Sequence, residues 1–270
     1  MSGNVRERKR LMTKRFALML MLLLPLVAGC LTDSGDDDDD SGSTGLSAAT
    51  YVPLTASATF NYAETGVDND ESYTSEYITT ISGPVSKNGK SYYRLVDVYH
   101  DYDWPDTSYV RVDGNTLYEL EAFWNMAAKT VRKTGHVLPK IADEIEDYTE
   151  VPFIKFDRTS WTIYDNTVSG EGYSWGYSWT GKYLRKEDVS VPAGTFQDCP
   201  VFELTLSEEG TYTYDDTAYP DAWETTITIW WAANVGWVKS TNVERELDED
   251  SGSMEVYYTG TTVLESYSIP

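Results

Sequence analysis

Apart from carboxylates and aromatic rings, few side chains in this 270-residue sequence could do chemistry. Two histidines, His100 and His136, and two cysteines, Cys30 and Cys199, are the whole stock of imidazoles and thiols. A typical zinc site or a Ser-His-Asp triad would need one of those histidines. Neither lies in a His-Glu-x-x-His pattern, and no Gly-x-Ser-x-Gly, phosphate loop or dinucleotide fingerprint occurs, so both read as surface or loop histidines. Cys199 has no base near it in sequence and reads as a small buried apolar residue. Carboxylates are plentiful. Asp68 with Asp70, Asp101 with Asp103, and Asp248 with Asp250 place oxygens at spacing two, a donor set that could serve Ca²⁺. None follows the EF-hand loop, since Gly252 falls one place early after Asp248, and polar hairpin ends explain the same pattern. A carboxylate pair for glycoside hydrolysis would look no different at this level. No cofactor is expected.

The aromatic load is the other candidate. The chain holds nine Trp and 21 Tyr. Tyr173, Trp175, Tyr177 and Trp179 recur at every second residue, which on a strand puts all four rings on one side. Trp231 and Trp237 flank a turn further on. Such rings can stack on sugars or line an apolar cavity, although a row of this kind is more often core.

These residues must be positioned by what precedes and surrounds them. Arg6, Arg8, Lys9, Arg10, Lys14 and Arg15 form a positive segment ahead of the apolar run Phe16 to Val27. That run is too short to span roughly 30 Å of hydrocarbon, which takes about 20 residues. It reads as a cleaved export signal. Val27-Ala28-Gly29-Cys30 resembles the lipobox of bacterial lipoproteins. The resemblance implies removal of residues 1–29, acyl chains on Cys30 and anchorage of the mature chain to a membrane. Leu31 stands where enteric lipoproteins retained in the inner membrane carry Asp, so the resemblance implies the outer membrane of a bacterial cell envelope.

Loss of residues 1–29 takes six basic side chains and Glu7 from totals of 21 and 44. That leaves 15 basic against 43 acidic residues, a formal charge of −28. This charge repels nucleic acid and anionic membrane surfaces, which excludes both as partners through charge. The expected partners are the membrane, through the acyl chains, and a protein or small-molecule ligand that the sequence does not identify. Residues 30–48, with the run Asp36 to Asp40, have almost nothing apolar to bury and read as an acidic tether.

From residue 49 to 270 the chain reads as strands. Ser72 to Ser82 alternates Tyr73, Tyr77 and Ile81 with mostly polar neighbours, the period-two pattern of a half-buried strand. Asn88-Gly89 is a two-residue hairpin signal, because both residues tolerate positive φ. Gly66 to Asp70 reads as a turn. Gly172 to Thr180 and Lys182 to Val191 read as two strands. Asn125 to Tyr148 breaks the pattern, with a short helix or loop over Met126 to Val131, and suggests two similar halves at 49–125 and 150–270.

Val191-Pro192-Ala193-Gly194-Thr195-Phe196 and the later Trp230-Trp231-Ala232-Ala233-Asn234-Val235-Gly236-Trp237-Val238-Lys239 resemble two motifs of a large group of uncharacterised bacterial lipoproteins and secreted proteins. Ala233-Asn234 departs from the Gly more usual there, and Trp237 from a Leu. The resemblance implies an all-β fold with a curved antiparallel sheet, a half-barrel or barrel like that of the lipoprotein-localisation carriers. The expected function is a non-catalytic binding or scaffolding module. The alternatives are a carrier with an aromatic-lined cavity for an apolar ligand and a glycan-binding or glycan-cleaving protein.

Overall fold

Period-two alternation builds nearly everything in the computed structural model, which describes residues 42–100, 105–121, 149–170, 173–214, 217–248 and 251–270. After a single turn of helix, α1 (Ala48–Tyr51), come β1 (Thr59–Asp68), β2 (Glu71–Lys87), β3 (Lys90–Tyr99), β4 (Asp106–Asp113), β5 (Thr116–Glu121) and β6 (Thr149–Lys155). The rest are β7 (Ser160–Gly170), β8 (Tyr173–Val191), β9 (Gly194–Tyr214), β10 (Thr217–Ala232), β11 (Gly236–Leu247) and β12 (Met254–Ser268). All twelve form one sheet in the order β6-β5-β4-β3-β2-β1-β12-β11-β10-β9-β8-β7, with every ladder antiparallel. The first described strand therefore lies in the middle of the sheet: β1 pairs with β2 on one side and β12 on the other. The sheet curves but does not close, and its two edges are the consecutive strands β6 and β7. The expected curved all-β architecture is what forms. The stretches read as two halves contribute β1–β5 and β6–β12 to the same sheet.

Local sequence sets the hairpins. Asn88 and Gly89 take φ values of 49° and 75°, the left-handed pair of a tight hairpin whose twist matches the strands. Asn69 and Asp70 do the same at 47° and 68°. The turn read over Gly66 to Asp70 is thus only Asn69–Asp70, and β1 runs on through Gly66 to Asp68. Asn234, at φ 59°, does the work of the glycine more usual in that motif, since Asn is among the few residues that tolerate this region. The two strands read over 172–191 are one, β8. Gly181 does not interrupt it; the Trp161 ring fills its missing side chain, and an added Cβ would lie 2.2 Å from that ring.

The inner face carries two apolar clusters. One gathers Ile154, Phe156, Trp179, Phe202 and Leu204. The other gathers Phe60, Tyr62, Tyr77, Val201 and Leu264. Leu54, Leu95 and Trp237 pack against both. Residues 42–48 correct the tether boundary. Gly42 O accepts from Thr159 N at 3.0 Å and Thr44 N donates to Asp157 O at 3.2 Å, while Leu46 and Ala48 are buried. Composition hides this, because a single Leu supplies most of the burial. Tyr51 then stacks on Phe156 at 5.7 Å, and Asn234 N donates to Thr50 O at 2.7 Å. The segment thereby straps the β6–β7 turn to the β10–β11 turn.

Candidate functional site

A cavity of about 140 Å³ lies against the inner face between β1–β5 and β10–β11. Alternate positions of each strand face it. Phe60, Ile81, Leu95, Val110, Leu117 and Ile229 supply apolar wall, and Val52-Pro53-Leu54, which follows α1, also lines it. Trp231 and Trp237 supply rings. Trp237 stacks on Tyr62 at 4.5 Å, Tyr62 on Tyr77 at 5.2 Å, and Tyr77 packs on Tyr99 at 4.9 Å. The Tyr62 hydroxyl donates to Trp237 O at 3.0 Å, which ties β1 to β11 across β12.

One arc of the wall is polar. Thr79, Asp97, Ser108 and Glu119 sit on the successive strands β2, β3, β4 and β5, and Ser240 lines the cavity from β11. Asp97 is 2% exposed, and the Thr79 hydroxyl donates to its Oδ1 at 2.5 Å. Burial pushes the Asp97 carboxyl up to about 7; the Thr79 hydrogen bond offsets part of this and the nearby Asp106 adds to it. Ser108 Oγ, Ser240 Oγ, Trp231 Nε1 and Trp237 Nε1 are buried without a hydrogen-bond partner among the described residues. Each such group costs roughly 1–3 kcal/mol if it stays unmatched. Native interiors rarely accumulate four of them around one space unless something other than the protein satisfies them.

A second polar layer lies further along β1, β11 and β12. The hydroxyls of Tyr73 and Tyr258 both donate to Glu64 Oε1, at 2.6 and 2.7 Å. Gly66 makes room for them, since a Cβ there would lie 2.6 Å from the Tyr73 ring. Next to it, Asn242 donates to Glu244 Oε1 at 2.9 Å, Tyr257 donates to Glu244 Oε2, and Trp223 donates to the Tyr257 hydroxyl at 2.8 Å. Burial raises both carboxyls against the pull of these hydrogen bonds, Glu244 to about 7. This layer fills its own hydrogen-bonding capacity far better than the cavity does.

Of the residues singled out in sequence, Trp231 and Trp237 line the cavity. The β8 row divides. Trp175, Tyr177 and Trp179 share a face without a break in register, but Trp179 is core, 1% exposed and edge-on to Phe153 at 6.0 Å. Trp179 therefore offers no exposed stacking surface, whereas Trp175 and Tyr177 are half-buried. The side chain of Tyr173 is not among those described. Cys30, His136, Asp101, Asp103 and Asp250 also lie outside the described residues, as do the stretches 126–131 and 141–146. Asp68 accepts from Asn69 at 2.7 Å and Asp248 from Ser251 N at 2.6 Å, both as turn ligands; Asp70 shapes the β1–β2 turn. Among the described residues no group of three or more His, Cys, Asp or Glu could hold a metal ion. His100 is exposed, 3.3 Å from Glu76. Cys199 is buried and free, its thiol pushed up to about 11 by burial and by neighbouring carboxylates. Sequence reasoning missed Asp97, Glu119, Ser108 and Ser240. A signal existed for one of them: Asp97 continues the alternation Tyr93, Leu95, Tyr99 on the buried face of β3.

Fold and site together define an open, curved all-β sheet with a mostly apolar interior cavity. No family model and no curated protein matches the chain. Among solved structures, it is similar to a protein described as a lipoprotein from Parabacteroides distasonis ATCC 8503. That likeness has a TM-score of 0.43 at 13% identity and covers 81% of this chain and 99% of the other. It is also similar to a protein described as exported, with a YmcC-like fold, from Bacteroides fragilis NCTC 9343, with a TM-score of 0.33, 8% identity and the same coverage.

Proposed function

We propose that this chain is a non-catalytic envelope lipoprotein that binds a small, largely apolar ligand inside its curved sheet. Residues 1–29 direct export and are removed, and acyl chains on Cys30 anchor the mature protein, in the outer membrane where one exists. Residues up to 41 tether the domain. The support for the anchor is the lipobox-like Val27-Ala28-Gly29-Cys30. The observation that carries the binding role is the cavity itself: an apolar wall with four buried polar atoms that no described residue matches. A scaffold needs no such space. A cavity of about 140 Å³ is on the order of that which takes a benzene-sized molecule, so the ligand is small, or only one end of a longer molecule enters.

Two measurements test this. Growth with labelled palmitate should label the wild-type chain and not Cys30→Ser; label on both removes the anchor assignment. Native mass spectrometry of the protein extracted from its membrane should show an adduct that Ile229→Trp, which fills the cavity, excludes. An adduct unchanged by that substitution places the ligand elsewhere.

A further inference from the structure

The unmatched atoms of the cavity-lining residues differ in kind. An indole N–H can only donate, whereas a serine hydroxyl can donate or accept. Trp231 and Trp237 are cross-strand partners on β10 and β11, so two obligatory donors come from neighbouring positions on one wall. The face of the Trp237 ring is already stacked on Tyr62, and what that ring still has to offer is the N–H in its plane. Ser240 on β11 and Ser108 on β4 add two hydroxyls. Trp231, Ser108 and Ser240 are at most 7% exposed, so bulk water does not serve them. The acids of the wall do not serve the indoles either. Asp97 accepts from the Thr79 hydroxyl and Glu119 has an interaction of its own, while both N–H groups stay unmatched. What the wall lacks is therefore an acceptor. An ammonium group only donates and leaves that need unfilled. A carboxylate or phosphate accepts but brings a full negative charge, and among the described residues no Lys, Arg or His lines the cavity to balance one. A neutral carbonyl oxygen accepts without bringing charge, and it suits a wall that is otherwise mostly Phe, Leu, Ile and Val.

We propose that the cavity selects a neutral molecule, an apolar body about the size of one substituted ring bearing a ketone or ester carbonyl that accepts from the indole N–H groups of Trp231 and Trp237. This rests on the ligand-binding reading above and adds the polar group of the ligand. It also separates this cavity from one built for fatty acids or phosphate headgroups, which would need a basic side chain in the wall.

The test uses four probes of one shape: acetophenone, its hydrocarbon isostere α-methylstyrene, benzoate and 1-phenylethylammonium. They are titrated calorimetrically into chain 30–270 carrying Cys30→Ser, which keeps residues 42–48 and all twelve strands. Transfer out of water favours the hydrocarbon, so a wall without accessible donors would prefer α-methylstyrene. Acetophenone should instead bind about tenfold tighter than α-methylstyrene, and neither ion should bind as well as acetophenone. Trp237→Phe keeps a ring against Tyr62 and removes the N–H. It should weaken acetophenone about tenfold and leave α-methylstyrene unchanged; if that variant fails to fold, Trp231→Phe carries the same comparison. The unsubstituted cavity offers an independent readout. The carbonyl stretch of bound, isotope-labelled acetophenone should fall below its position in hexane, as a hydrogen-bonded carbonyl does. Equal or tighter binding of α-methylstyrene, or a carbonyl band at the hexane position, overturns the acceptor assignment and leaves the apolar-ligand reading standing. Tighter binding of benzoate or of the ammonium overturns the neutral assignment. If none of the four binds, both readings fall together.

Discussion

Two groups of carboxylates in this protein meet opposite fates. On the outer face of β3–β6, Glu150 accepts from Arg111 through Nη2 at 2.9 Å and also through Nε, from Lys90 at 2.5 Å and from Tyr92 at 2.6 Å. Burial alone would raise it, but these donors outweigh burial and hold it down at about 2. On the inner face, Glu64, Glu244 and Asp97 have only neutral side-chain donors, hydroxyls and an amide, and burial wins. The lesson concerns partners more than depth. Neutral hydroxyl and amide donors satisfy a carboxyl's hydrogen bonds without cancelling its charge, so burial raises a carboxyl that has only such donors, while one beside arginine is held down.

Four experiments would break or sharpen that contrast. The largest effect should come from Glu64→Ala, which strips the shared acceptor from the hydroxyls of Tyr73 and Tyr258 and leaves them only each other. At roughly 1–3 kcal/mol for the hydroxyl left without an acceptor, urea unfolding should register a loss of up to about 3 kcal/mol. Glu64→Gln keeps a carbonyl acceptor and should recover most of it. Equal losses for both variants would mean that the network contributes only shape.

The pH dependence comes next. Glu244 titrates near its ordinary 4.5 when unfolded and near 7 when folded, so the folded state binds the proton more tightly in that window. Stability should therefore be full below about 4.5 and fall as pH rises toward 7, by an amount on the order of a few kcal/mol. Self-repulsion among the many acids acts in the same direction, so the informative quantity is the difference from Glu244→Gln. The variant should show a flatter profile between those limits. Parallel profiles would show that Glu244 does not hold its proton. Glu150 works in the opposite window, where its contribution is lost as pH falls from 4.5 toward 2.

Arg111→Met should cost about 1–2 kcal/mol in the same unfolding assay, because it removes a charge-assisted pair whose side chains are only 14% and 13% exposed. The double variant with Glu150→Gln should regain part of this, since no lone charge is then left behind. Strict additivity would argue that the pair is not coupled. Lys90→Met should be the smallest change, within about 0.5 kcal/mol, because the Lys90 side chain is 51% exposed and solvent screens it.

What could be read in sequence was local or periodic. Asn88-Gly89 announces its turn because two adjacent residues decide it. Strand type was legible because alternating burial is written every two residues. The inward polar arc was not. Thr79, Asp97, Ser108 and Glu119 each look like an ordinary polar residue on a half-buried strand, and only the register Thr79↔Asp97 and Val110↔Glu119 sets them around one space. The Glu64–Tyr258 contact joins positions 194 residues apart. Trp179 and Trp231 are the same residue type in the same core cluster, yet only Trp231 also lines the cavity. Residues 42–48 failed for a third reason: their value lies in where one leucine and a few backbone groups land, which composition does not record.

Sequence by itself determined that this chain is strongly acidic and that it folds into antiparallel strands, because these depend on residue type and short spacing. Tertiary structure alone decided which carboxyls burial raises and which cations hold down, where the interior space lies and which aromatic rings face it. Those properties depend on the strand pairing that brings β1 against β12 and leaves β6 and β7 as edges, and on the low-dielectric interior which that pairing encloses.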